Sequence, residues 1–91
     1  MNMERLKELH RTGIRVFVEH HHVWFKPKKE AIEELVRCNV SNENGANIRV
    51  GYAKIIINDI KAHKECLNYI IYQANVSADI KTKAREILAL L

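Results

Sequence analysis

The residues with the most evident chemical capacity in this sequence are three consecutive histidines at positions 20–22, directly after an acidic residue. Imidazole and carboxylate groups are common ligands of zinc and related metals. In an extended strand, His20 and His22 would share one face and His21 would point away. The residues that could complete a coordination sphere are Glu19, His10 and His63.

Histidine runs of this kind are more often solvated turn residues than metal ligands, and no second cluster at ligand spacing accompanies this one. We therefore predict no metal site. A metal-binding protein built on His20 and His22 stays as an alternative function.

The sequence offers little for catalysis. Neither Cys38 nor Cys66 has an adjacent histidine that would activate the thiol, and no serine lies in a Gly-x-Ser-x-Gly turn. A glycine-rich phosphate loop is also absent from the sequence, and the acidic residues are spread along helical patterns as partners of basic ones. We predict that the protein is not an enzyme, has no catalytic residues and uses no cofactor.

A second grouping combines aromatic and basic residues around a predicted β-hairpin. On one face of that hairpin Phe17 and Trp24 would lie side by side, and such rings stack on bases while nearby cations neutralise phosphates. The alternative is that a helix covers both rings as part of the core. The residues predicted to bind a partner or nucleic acid are Arg15, Phe17, His22, Trp24, Lys26, Lys28 and Lys29.

Hydropathy patterns predict the elements that would position these groups. Residues 14–19 alternate apolar and polar in the manner of a half-buried strand, and residues 22–26 form a second β-rich run. The two runs predict a hairpin that turns at His20 and His21. Residues 47–51 could add a short third strand.

Helical periodicity occupies much of the remaining chain. A short amphipathic helix over residues 2–12 would end at Gly13, and a second would run from Pro27 to about Cys38. Residues 52–74 show the longest helical pattern, and Ser77 would begin a terminal helix. The stretch 39–47 is the most loop-like.

Together these elements predict one small α+β domain over residues 1–91. Its hairpin, with or without the third strand, would pack on three to four helices, one of them a long central helix. The length suffices for a thin but real core, since a chain of 91 residues buries about 60–65% of its unfolded surface.

The apolar surface exceeds what so small an interior can hold. The central helix carries apolar residues on two faces, so we predict a twofold homodimer that covers the surplus. The residues predicted to mediate this self-association are Ile55, Cys66, Tyr69, Leu88 and Leu91.

Charge and composition limit which kinds of partner the protein can have. The net charge of +4 favours polyanionic partners only weakly, no apolar run could span a membrane, and the first residues do not resemble a secretory signal. We predict a cytoplasmic, non-enzymatic module with a regulatory or inhibitory role that binds a protein or nucleic-acid surface. A nucleic-acid-binding protein that uses the basic and aromatic hairpin face is the narrower alternative.

Overall fold

The computed structural model describes residues 1–91 as six α-helices and one short 3-10 helix, without any β-strand. The predicted α+β fold is therefore wrong, and the chain is all-helical. The elements are α1 (Met3–Thr12), α2 (Ile14–Glu19), the 3-10 helix (His21–Phe25), α3 (Lys28–Arg37), α4 (Glu43–Ile57), α5 (Ile60–Ile71) and α6 (Ala78–Ala89).

The predicted hairpin is replaced by α2 and the 3-10 helix. The alternation over residues 14–19 is broken by Phe17, and the adjacent Phe17 and Val18 are both fully buried. A strand with one solvated face cannot bury two consecutive side chains, whereas a helix can. Arg15 and Glu19, four residues apart, also form an ion pair of 2.6 Å along α2. Packing therefore overrides the β-propensity of the branched and aromatic residues.

The predicted third strand over residues 47–51 lies inside α4. The Asn42 side chain accepts a hydrogen bond of 2.8 Å from the Gly45 N–H and caps a helix that begins at Glu43. Within this helix Val50 is fully buried, whereas Ile48 faces outward. The run Ile48-Arg49-Val50 suggested a strand because two branched residues flank a charged one, a pattern that a helix surface can also carry.

The predicted central helix over residues 52–74 is two helices. The break falls at Asn58 and Asp59. The Asp59 carboxylate accepts hydrogen bonds of 3.0 and 3.3 Å from the backbone N–H groups of Lys61 and Ala62 and caps α5. Short polar side chains compete for backbone hydrogen bonds in this way. The helical spacing of apolar residues continues across the break, because α4 and α5 both pack into the same core. The spacing alone therefore did not reveal the break.

The other predicted helices are confirmed. α1 ends at Gly13, α3 follows Pro27, and α6 begins after Ser77. Gly13 adopts φ +94°, and a Cβ atom added there would lie 2.5 Å from the Arg49 guanidinium. Glycine is therefore favoured by the backbone conformation, and a side chain there would displace the Arg49 guanidinium that binds the Thr12 carbonyl.

The helices surround one core of 17 buried residues, within a molecule that measures 31 × 24 × 23 Å. α4 packs against α1 and α3, and α6 packs against α5 and α2. The largest buried side chain is Trp24, whose indole N–H donates a hydrogen bond of 3.0 Å to the Phe17 carbonyl. None of the helices has the length and apolar character needed to cross a membrane.

Three basic side chains from the second half of the chain bind backbone carbonyls at the ends of the first three helices. The pairs are Arg49 with Thr12, Lys54 with both Trp24 and Lys26, and Lys83 with Glu19, at nitrogen–oxygen distances from 2.6 to 3.0 Å. Terminal carbonyls lack partners within their own helix and carry partial negative charge, so a cation stabilises them. These three cations serve the fold and are not part of a free basic surface.

Candidate protein-binding face

The two aromatic residues predicted to bind nucleic acid lie in the core. Phe17 and Trp24 are fully buried, and their rings stack on each other with centroids 6.4 Å apart. No ring face of either residue is open to solvent, so neither can stack on a base. The interpretation that a helix covers both rings fits their position.

The basic residues of that predicted site do not form one surface with the rings. Arg15 lies on α2 and is paired with Glu19 and, at 3.6 Å, with Asp79. His22 is exposed on the 3-10 helix, and the chain continues through exposed Lys26. The remaining two residues, Lys28 and Lys29, are the first residues of α3.

The residues predicted to mediate self-association are spread over three helices and the end of the chain. Cys66 is fully buried on α5, where burial raises the pKa of its thiol to about 12. Tyr69 and Leu88 are half-buried, and Leu91 is 39% exposed at the end of the chain. Of this set only Ile55, 49% exposed on α4, belongs to the outer face described below.

One histidine of the run at positions 20–22 forms an internal contact. The Nε2 atoms of His21 and His63 lie 2.8 Å apart, so one ring donates a hydrogen bond and the other accepts it. Burial, together with the positive charges that His63 and Lys83 would present, lowers the pKa of His21 to about 4. Burial also lowers the pKa of His63.

This histidine pair packs among aromatic rings, with Phe17 edge-on to both imidazoles and Phe25 in contact with His21. No group of three or more His, Cys, Asp or Glu side chains is placed to hold a metal ion. The pair fastens the 3-10 helix to α5.

The outer side of α4 carries an apolar strip that no other helix covers. We call Ile48, Gly51, Tyr52 and Ile55 the α4 strip. They recur at steps of three and four residues and therefore share one face of the helix. Ile48 and Ile55 are each 49% exposed, and the strip lines a shallow hollow of about 310 Å³ together with Lys28 and Asn47.

Gly51 has no role inside the chain that would explain it. A Cβ atom added at this position would meet no other atom within 4 Å. Glycine in a helix interior costs about 1 kcal/mol relative to alanine. The missing side chain leaves the α4 backbone accessible between the flanking isoleucines.

The outer side of α3 forms a larger groove next to the α4 strip. This α3 groove has a volume of about 730 Å³, and Lys28 lines both hollows. Its apolar floor is Ile32, half-buried, and Val36, 40% exposed. Its full lining is Lys28, Lys29, Ile32, Glu33, Val36, Arg37 and Glu43.

Four charged side chains of the α3 groove have no ion-pair partner within the chain. They are Lys28, Lys29, Glu33 and Glu43, while Arg37 pairs with Glu34 beside the groove. Both lysines lie in the first turn of α3, where the helix dipole is positive, and Pro27 provides no side-chain cap. Cations at this end are unfavourable by about 0.3–1 kcal/mol each.

The sequence contained a signal for the α4 strip that the strand prediction obscured. Ile48, Tyr52 and Ile55 follow helical spacing, and Asn42 is a good N-cap three residues before Gly45. Because residues 47–51 were interpreted as a strand, the helix was predicted to begin at Tyr52 and Ile48 was separated from the other two.

Comparison of the chain with protein-family models, with curated proteins and with solved structures finds no match.

Proposed function

We propose that this protein is a small non-enzymatic binding module whose α4 strip receives a helix of a partner protein. The observation that carries the proposal is Gly51, a helix-interior glycine without an internal role, set between two half-exposed isoleucines. A regulatory or inhibitory action, in which the module occupies a surface of its partner, is the simplest mode for such a chain.

The chemistry of the strip supports a helical protein partner. It contains no charged residue, and its only polar side-chain atom is the Tyr52 hydroxyl. An apolar helix face fits such a strip through anchors at steps of three and four residues. A small residue at the crossing point lets two helix backbones approach closely, so Gly51 marks where the partner helix would cross. Nucleic-acid binding needs several cations on one surface, whereas the hollow around the strip has one, Lys28.

The test is affinity capture from the native host with the full-length protein and two aspartate variants. Ile48→Asp places a charge on the α4 strip, whereas the control Ile60→Asp places one on an exposed isoleucine of α5, 55% exposed. We expect wild type and the control to retain the same protein and Ile48→Asp to lose it. The retained protein, once purified, should bind with a negative heat-capacity change, the mark of apolar burial.

Two results would overturn the proposal. The first is retention of the same proteins by wild type and Ile48→Asp, and the second is loss of all binding after nuclease treatment. Circular dichroism and a melting curve for each variant establish that the fold is intact. Both substituted side chains are already solvent-exposed, so little change in stability is expected.

A further inference from the structure

We infer that the α3 groove binds a second copy of this chain, so that two α3 helices pack antiparallel about a twofold axis near Val36. The inference concerns a different surface from the α4 strip and rests on the distribution of unpaired charge along the groove.

The α3 groove has the charge pattern that a twofold pair requires. Lys28 and Lys29 lie where α3 begins, and Glu43 lies at the other end, where α4 begins. None of the three has an ion-pair partner in its own chain. A twofold rotation places the basic end of one groove on the acidic end of the other, and each contact then occurs twice.

A specific register follows from helix geometry. With the axis at the level of residue 35, Glu33 and Arg37 each lie two residues, or about 3 Å, from it along the helix and on opposite sides, at a rise of about 1.5 Å per residue. Glu33 of one copy then faces Arg37 of the second copy. Lys28 reaches the end of the opposite groove, near Glu43 of the second copy. Val36 lies one residue, or about 1.5 Å, from the level of the axis, so the two Val36 side chains meet across it.

Other charge arrangements fit this register less well. An axis moved by half a turn toward the start of α3, to residue 33, would set Lys29 against Arg37 of the second copy and Glu33 against itself. Both contacts are repulsive. A purely acidic or purely basic partner is also disfavoured, because the groove carries both positive and negative charges.

The pairing also places two α4 strips on each dimer. Each copy keeps its own strip beside the paired grooves, because the two hollows share only Lys28 among their lining residues. The dimer is then a bivalent binder, and two linked sites raise the apparent affinity for a partner that presents two helices.

A charge-exchange experiment tests the inference. The variant Lys28→Glu/Arg37→Glu makes the four predicted contact positions all acidic, and Glu33→Lys/Glu43→Lys makes them all basic. We expect wild type to scatter light as a species of twice the 10.6 kDa chain mass at tens of micromolar. Each variant alone should stay at the chain mass, with a dissociation constant raised at least about tenfold. An equimolar mixture should recover the doubled mass.

Recovery in the mixture shows that both variants are folded, so loss of pairing in either alone cannot be a folding defect. The inference is overturned if wild type keeps the chain mass on tenfold concentration. It is also overturned if both variants dimerise as wild type does, or if the mixture fails to pair while circular dichroism shows both variants folded. None of these results bears on Ile48→Asp, so failure here and failure of the proposed function are distinguishable.

Discussion

The aromatic cluster around Trp24 and the outer side of α3 and α4 differ in whether their polar groups have partners within the chain. In the cluster, the Trp24 indole N–H bonds the Phe17 carbonyl and His21 meets His63. On the outer side, by contrast, charged residues lack partners and isoleucines face solvent. Internal contacts satisfy the Trp24 indole and His21, and the groups left unsatisfied on the outer side are those available to a partner.

The largest test of this difference is the replacement of Trp24. Trp24→Ala removes a fully buried indole and its hydrogen bond, and we expect the free energy of unfolding to fall by about 3–5 kcal/mol. Denaturant unfolding followed by circular dichroism measures the change. The control is Phe25→Ala, because Phe25 is a neighbouring aromatic residue that is 61% exposed. A loss of more than about 2 kcal/mol in the control would erase the distinction between inner and outer rings.

Acid should weaken the inner cluster. The pKa of His21 is lowered from 6.5 to about 4 by burial and by nearby positive charge, and that of His63 is also lowered. In the unfolded chain both histidines take up protons near pH 6.5, so the unfolded state binds more protons between pH 6.5 and 4. The free energy of unfolding should therefore fall progressively as the pH is lowered through this window.

Unfolding curves recorded at intervals from pH 7 to 4.5 measure that slope. His21→Gln should make the profile shallower, because it removes one of the two histidines whose pKa is lowered in the folded state. A wild-type profile without a slope in this range would mean that neither imidazole is shielded from protonation.

Removing a capping cation should have an intermediate effect. Lys83→Met deletes the ammonium that donates a 2.9 Å hydrogen bond to the Glu19 carbonyl, and we expect a loss of about 1–2 kcal/mol. Arg85→Met, an exposed cation on the same helix, should change stability by less than about 0.5 kcal/mol. Equal effects in thermal unfolding would show that the carbonyl contact contributes nothing particular.

The smallest expected effect is a gain in stability on the outer side. Gly51→Ala should stabilise the chain by about 0.5–1 kcal/mol, since the added methyl group meets no atom within 4 Å and the helix gains propensity. Under the proposed function the same change should weaken partner binding. The matched control is Gly13→Ala, which should lower stability because φ +94° and the nearby Arg49 make any side chain there unfavourable. Destabilisation by Gly51→Ala would reveal an internal role for that glycine.

Local signals predicted several helix ends correctly. Gly13 and Pro27 act on the backbone directly, which is why the end of α1 and the start of α3 were evident in the sequence. The helical state of residues 14–19 was not evident, because their alternation is also compatible with a strand. The burial of Phe17 distinguishes the two structures. Such burial depends on α5 and α6, which lie more than 40 residues away along the chain.

The candidate site was harder to predict than the fold. Sequence reasoning identified the surplus of apolar surface but assigned it to residues such as Cys66, which the core absorbs. Of the residues predicted to mediate self-association, Ile55 and Leu91 are exposed, and only Ile55 belongs to the α4 strip. Which of two apolar helix faces is inward depends on where neighbouring helices pack, and no periodicity within one helix contains that information.

The three carbonyl-binding cations also constrain how the protein can emerge from a ribosome. Arg49, Lys54 and Lys83 are synthesised after the helix ends that they cap, in the last case 64 residues later. At about 5–20 residues per second, the end of α2 would wait roughly 3–13 seconds for its ammonium. The end of α2 therefore cannot complete its native contacts before Lys83 has been synthesised, and a chain truncated before α6 should be degraded readily by proteases.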